Sequence, residues 1–255
     1  MEDSVRRSRG WRRRTCGPRP DSVSVRHGDA GQSLVEFALV IPIFLVLLMA
    51  VIEFGFLLNG LLSINFATRD AALVAAESGN VGGDGTPGVN VINGVPYGYD
   101  RADCIILQKI VQDVTAPANP ANISQVQIFW TNAYGQPLAT DGSVTTAGSA
   151  GQAVDTYVPG SMTCALSSTV TVTVPFKPSS TTPQYLSSGR CNEVGGSTQT
   201  TGLNPCPSGH PGLDTIAVQV TYSNTWVTPL HNLIGLLGNG WTLTQSNEMR
   251  MEPVL

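Results

Sequence analysis

The residues of this chain that could do chemistry are few, and the clearest of them border an apolar run. Gly31, Gln32, Ser33, Leu34, Val35 and Glu36 lead into Phe37 to Ile52, a stretch without any charge; Glu53 then interrupts, and the apolar sequence resumes to Leu62. A carboxylate at the border of such a run, or inside it, meets a low dielectric and needs a partner of opposite charge or a hydrogen-bond donor. Glu36 and Glu53 are therefore read as functional acids. Glu36 has a plainer reading as a helix N-terminal carboxylate among lipid headgroups, but acids within a membrane segment are functional by default. Glu53 is expected near the outer boundary of the apolar run or against a protein partner.

The usual catalytic sets do not assemble from the rest. The three histidines, His27, His210 and His231, fit no metal-ligating spacing, and neither a nucleophile elbow nor a phosphate-binding loop occurs. Asp100 and Asp103 read as the polar first turn of a helix, where they complement its dipole. No catalytic residue, cofactor or metal site is expected. Five cysteines fall into two groups, Cys16 near the N-terminus and Cys104, Cys164, Cys191 and Cys206 beyond the apolar run. An even set of four in an oxidising compartment suggests two disulfides among three connectivities, and Cys104 with Cys164 and Cys191 with Cys206 is the favoured pairing.

Charge sets the direction in which the chain crosses a membrane. The first 30 residues hold eight arginines against four acids, net +4, whereas the other 225 hold six basic residues against fourteen acids, net −8. A basic flank on one side of an apolar span stays in the cytoplasm, so the remainder is expected outside it. The same run could attract phosphates. It has no folded scaffold around it, however, and topology accounts for it, so no nucleic-acid partner is expected.

Three segments follow: a basic cytoplasmic leader at 1–31, a membrane-crossing and emerging helix at 32–78, and an exported domain at 79–255. Phe37 to Ile52 would reach only about 24 Å as a helix, short of a bilayer core of about 30 Å, whereas Phe37 to Leu62 would reach about 39 Å and span with tilt. Ser63 to Ser78 is Ala-rich and reads as the helix leaving the membrane to pack on the domain, with Gly79 and the glycines from Gly82 to Gly88 ending it. A second helix is expected at Asp100 to Val114, with Ile105, Ile106, Ile110 and Val111 towards the core. Strands are expected at Ser124 to Trp130, Thr169 to Phe176, Thr215 to Tyr222 and Gly240 to Thr244, where apolar residues alternate with polar ones. Tyr134 to Pro159 and Pro178 to Pro211 are turn-rich and read as surface loops, and Leu230 to Leu237 as a short helical turn. With only 13% charged residues and many Gly, Ser, Thr, Asn and Pro after residue 80, the fold class is α+β. It combines a long N-terminal transmembrane helix with an exported domain in which an antiparallel sheet packs against helices.

The segment GQSLVEFALVIPIFLVLLMAVIEFG, with Ala67, Thr68, Arg69, Asp70, Ala71 and Ala72 after it, resembles the TadE-like family of pilin-like membrane proteins of tight-adherence pilus systems. The tail Leu243 to Glu252 resembles it more faintly. The resemblance implies a prepilin-type processing site between Gly31 and Gln32, which would make Glu36 the fifth residue of the mature chain. It also implies that the new amine of Gln32 pairs with Glu36 of its own or a neighbouring chain, and that Glu36 and Glu53 serve assembly. The partners implied are the membrane, a prepilin peptidase, other pilin-like subunits and a pilus assembly platform. Gln32 departs from the Phe or Met usual in type IV pilins, and the leader is long. The function expected is a structural or assembly component of a tight-adherence pilus or related secretion apparatus. Its rival is a signal-anchored extracytoplasmic binding protein with no pilus role.

Overall fold

A computed structural model describes residues 29–78, 90–92, 95–97, 101–165, 170–180, 184–191, 212–229 and 240–251. Most of the basic leader, the three histidines, Cys206, the glycines from Gly82 to Gly88 and the segment Leu230 to Leu237 lie outside these residues. The chain divides into two compact units, 1–45 and 46–255.

In the first unit the described residues form the start of helix α1, which runs from Asp29 to Ser78 with Pro42 inside it. Leu, Val, Ile and Phe surround the helix here and are open to the surroundings, among them Leu34, Phe37, Val40 and Phe44. A helix apolar on every side is at rest only in lipid or inside a protein. It is the one described helix long and apolar enough to cross a membrane.

The second unit holds the rest of α1, helix α2 (Arg101–Asp113) and seven strands: β1 (Asn90–Ile92), β2 (Val95–Tyr97), β3 (Ile123–Thr131), β4 (Val154–Ala165), β5 (Thr171–Pro178), β6 (Thr215–Thr225) and β7 (Gly240–Arg250). All pairings are antiparallel. The order is β2-β1-β4-β3-β6-β7, with β5 also on β4. Strand β4 is the hinge of this arrangement. Its first half pairs with β3 from Phe129↔Val154 to Val126↔Tyr157, its second half meets β1 at Val91↔Thr163, and β5 follows its other edge.

From Ile64 onward α1 changes character. Ile64, Ala67, Ala71 and Ala75 recur at helical spacing and are wholly buried in the core. Helix α2 contributes Ile106, Leu107 and Ile110, and the strands contribute Val126, Ile128, Val174, Phe176, Ile216, Val218 and Val220. The architecture is the expected α+β one, an antiparallel sheet with helices after a long apolar helix.

Four local expectations need correction. The first half of β4, up to Pro159, lies in sequence read as loop and its second half in sequence read as no element, because its inward side includes Asp155 and because the register shifts between Pro159 and Met162. A buried acid and a bulge hide the two-residue period. β7 runs six residues past Thr244, since the inward positions Gln245 and Asn247 are polar; Asn247 donates to Thr68 Oγ1 at 2.5 Å. In the stretch read as a surface loop, Tyr185, Ser187, Arg190 and Cys191 are buried. On α2 the buried face is centred on Asp103, Ile106, Leu107 and Ile110, with Ile105 and Val111 only partly covered.

Candidate functional site

The motif before the apolar run lies in the first turns of α1. Gly31 is exposed, and a side chain there would meet nothing within 4 Å. Gln32 and Glu36, one helical turn apart, are joined by a bond from Gln32 Nε2 to Glu36 Oε1 at 3.1 Å. Both are exposed. This arrangement offers a carboxylate to an incoming cation beside apolar side chains.

Glu53 has a different environment. Only 4% exposed, it accepts hydrogen bonds at Oε1 from the backbone N–H of Thr228 at 2.8 Å and from the Thr228 hydroxyl at 3.2 Å. Thr228 follows β6 after the short segment Trp226-Val227, so a residue from late in the chain satisfies an acid in the apolar helix. Seven residues along α1, Gly60 lies under the Trp241 ring: a Cβ at Gly60 would come within 3.0 Å of that ring. Trp241 also packs on Tyr222, with ring centroids 5.9 Å apart.

The four cysteines beyond the helix are placed as follows. Cys104 on α2 and Cys164 on β4 form a disulfide across a sequence separation of 60. Cys191 is disulfide-bonded as well, and Cys206 is outside the described residues.

A buried polar network, not foreseen in the sequence, lies beside these cysteines. The guanidinium of Arg190 donates to Asp103 Oδ1 at 2.5 Å and to the Tyr185 carbonyl at 3.1 Å, while Tyr157 OH donates to Asp103 Oδ2 at 2.6 Å. Arg190 also stacks 4.8 Å above the Tyr185 ring. Asp155 Oδ1 accepts from the N–H groups of Gln184 and Tyr185, at 2.7 and 3.2 Å. Asp214 Oδ2 accepts from the Tyr185 hydroxyl and from Cys191 N–H. Asp103 stands in the first turn of α2, as read, but lies in the interior, and its charge is met by an arginine 87 residues away. Burial, then the neighbouring Asp103, pushes the Asp155 carboxyl up to about 7. Burial likewise holds the hydroxyls of Tyr157 and Tyr185 well above their usual range. The network fastens segment 184–191 to α2, β4 and the start of β6, while Asp155 Oδ2 is buried within it without a hydrogen-bond partner among the described residues. The sequence signal for it was weak: Arg190 and Asp103 each precede a cysteine.

A cavity of about 130 Å³ lies between Trp130, Ala153, Tyr185, Leu186 and Gly189, with Thr140 and Gln184 at its polar side. Tyr185 and Trp130 stack parallel beside it. Among the described residues no group of three His, Cys, Asp or Glu side chains is placed to hold a metal ion.

Residues 31–73 match the family model described as TadE-like protein. The match takes in the entrance motif, Glu53 and the first buried turns of α1, and it stops before α2 and the sheet. No curated protein and no solved structure matches the chain.

Proposed function

We propose that this chain, TadE-like over residues 31–73, is a membrane-anchored pilin-like component of a tight-adherence pilus or related secretion apparatus, and that its work is structural or in assembly rather than catalytic. The observation that carries the proposal is the entrance motif set directly on a 50-residue helix whose far end is built into a folded domain. A cut after Gly31 removes the basic leader and retains the whole helix. A secretory cut would fall after the apolar region instead. In the proposed topology the leader is cytoplasmic, the C-terminal domain is extracytoplasmic, and a prepilin peptidase acts at Gly31-Gln32. The Cys104–Cys164 disulfide supports that orientation, because such bonds persist in oxidising compartments.

Two surfaces suit assembly. Glu36 is an exposed acid able to pair with a mature N-terminal amine, an attraction that strengthens in low dielectric. Phe54, Leu58, Leu62 and Phe66 form an exposed i, i+4 stripe on α1, away from the residues that enter the core. Such a stripe suits packing against the helices of other pilin-like subunits or the assembly platform.

Expression with and without the prepilin peptidase, followed by N-terminal sequencing, tests the processing step. A mature chain beginning at Gln32 only when the peptidase is present is the expected result. Met1 as the N-terminus in both strains overturns it.

A further inference from the structure

Three contacts show the β6–β7 hairpin descending α1 towards its apolar end. Asn247 meets Thr68, Trp241 covers Gly60, and Thr228 caps Glu53. Thr228 has by then left the strand, which ends at Thr225. Irregular backbone facing lipid does not occur within the hydrocarbon of a bilayer, because its N–H and C=O groups find no partners there. The exposed polar side chains of Ser223, Thr225 and Thr242 beside it are equally unsuited to hydrocarbon. The hydrocarbon region therefore ends no farther along α1 than Glu53.

Helix length then sets the other limit. Twenty residues of helix cover about 30 Å, the thickness of a typical bilayer core. Counting back from Glu53 by that number reaches Leu34, two residues after Gln32 and two before Glu36. The two ends agree: polar groups stand at both limits of one bilayer thickness. At the outer limit stand Trp226, partly buried, and Val227, 57% exposed. An amphipathic indole next to an exposed aliphatic residue is the composition of an interfacial contact.

We propose that the β6–β7 end of the domain rests on the outer leaflet at the level of Glu53, with Trp226 and Val227 in the headgroup region, so that lipid surrounds Leu34 to Glu53 of α1. This span is shorter than the Phe37 to Leu62 read from the sequence. It leaves Phe54, Leu58, Leu62 and Phe66 outside the hydrocarbon. The bilayer surface is the partner here because the helix that carries Glu53 continues into it. The inference rests on the membrane-anchored reading and does not need the pilus role.

The test uses the full chain with Cys16→Ser, reconstituted at one copy per nanodisc of phosphatidylethanolamine and phosphatidylglycerol. Nitroxide labels are placed singly at Leu47→Cys, Leu62→Cys, Val227→Cys and Tyr134→Cys, and collision rates with oxygen and with a water-soluble nickel chelate are compared. The oxygen-to-nickel ratio at Val227 is expected several-fold above that at Tyr134 and below that at Leu47, with Leu62 close to Tyr134. A low ratio at Leu47 removes the anchor itself, and the inference with it. A lipid-like Leu47 with Val227 equal to Tyr134, or with Leu62 equal to Leu47, overturns the inference and leaves the anchor standing. Quenching of the unlabelled chain by headgroup nitroxide lipids gives a second measurement. The quenched emission falls in Trp226→Phe, and an unchanged quenched fraction overturns the proposal.

Discussion

Asp103 and Arg190 are joined in the interior by a bond of 2.5 Å between residues 87 positions apart, and each stands next to a disulfide-bonded cysteine. The ion pair fastens the start of α2 to the segment 184–191, and the Cys104–Cys164 disulfide fastens the same turn of α2 to β4. A buried pair is weak evidence for net stability, since its desolvation offsets much of its attraction. Breaking it from one side is another matter.

Arg190→Met leaves Asp103 charged and without its cation in the core, and is expected to cost about 3–5 kcal/mol of unfolding free energy. Pairing it with Asp103→Asn should recover part of that loss. Urea denaturation of the four members of the cycle checks it, and strictly additive losses would show that the two side chains are not coupled.

Asp155 makes stability depend on pH in a direction opposite to that of a salt-bridged carboxylate. Its folded-state pKa lies near 7, raised by burial and by Asp103, against an ordinary 3.8. Between those values the folded protein keeps a proton that the unfolded chain has lost. The stabilising contribution is thus complete below about pH 4 and disappears as pH rises through 7, within a ceiling of about 4 kcal/mol. Asp155→Asn should gain on the parent protein as denaturation midpoints are followed from pH 5 to pH 8. A constant difference between the two proteins across that range would exclude this origin.

Replacing Cys104 and Cys164 together by Ala opens a loop of 60 residues' separation and should cost about 2–5 kcal/mol. Thermal unfolding of the full chain in detergent reads the loss. Because Cys191 is also disulfide-bonded, reductant should destabilise the parent more than it destabilises this double variant.

Glu36→Ala removes an exposed side chain bonded only by Gln32 among the contacts described for it. Membrane insertion and the melting temperature of the domain should be unchanged, while incorporation into a pilus fraction should fall severely. Unaltered pilus yield with this variant would remove Glu36 from the assembly mechanism.

The α1 segment was legible in the sequence because its signals are local. An uncharged run, a basic flank and the spacing from Gly31 to Glu36 need no tertiary partner to be read, and residues 31–73 match the TadE-like family model. The strands β3, β5 and β6 were legible for the same reason, through apolar alternation. β4 and the end of β7 were not, because Asp155, Gln245 and Asn247 turn inward where a periodic reading expects apolar residues.

What tertiary structure alone decided are the partners of charged groups inside the fold. Nothing near Glu53 in the sequence indicates that Thr228 caps it, and nothing near Asp103 indicates Arg190. A buried charge is satisfied by whichever donor the topology brings within about 3 Å, and sequence distance carries no information about that. Composition and hydropathy thus determined a long helix fit to cross a membrane, the one such helix among the described residues, and an α+β domain after it. The sheet's order determined where that domain meets the helix, since the descent of β6 and β7 along α1 brings Thr228 to Glu53.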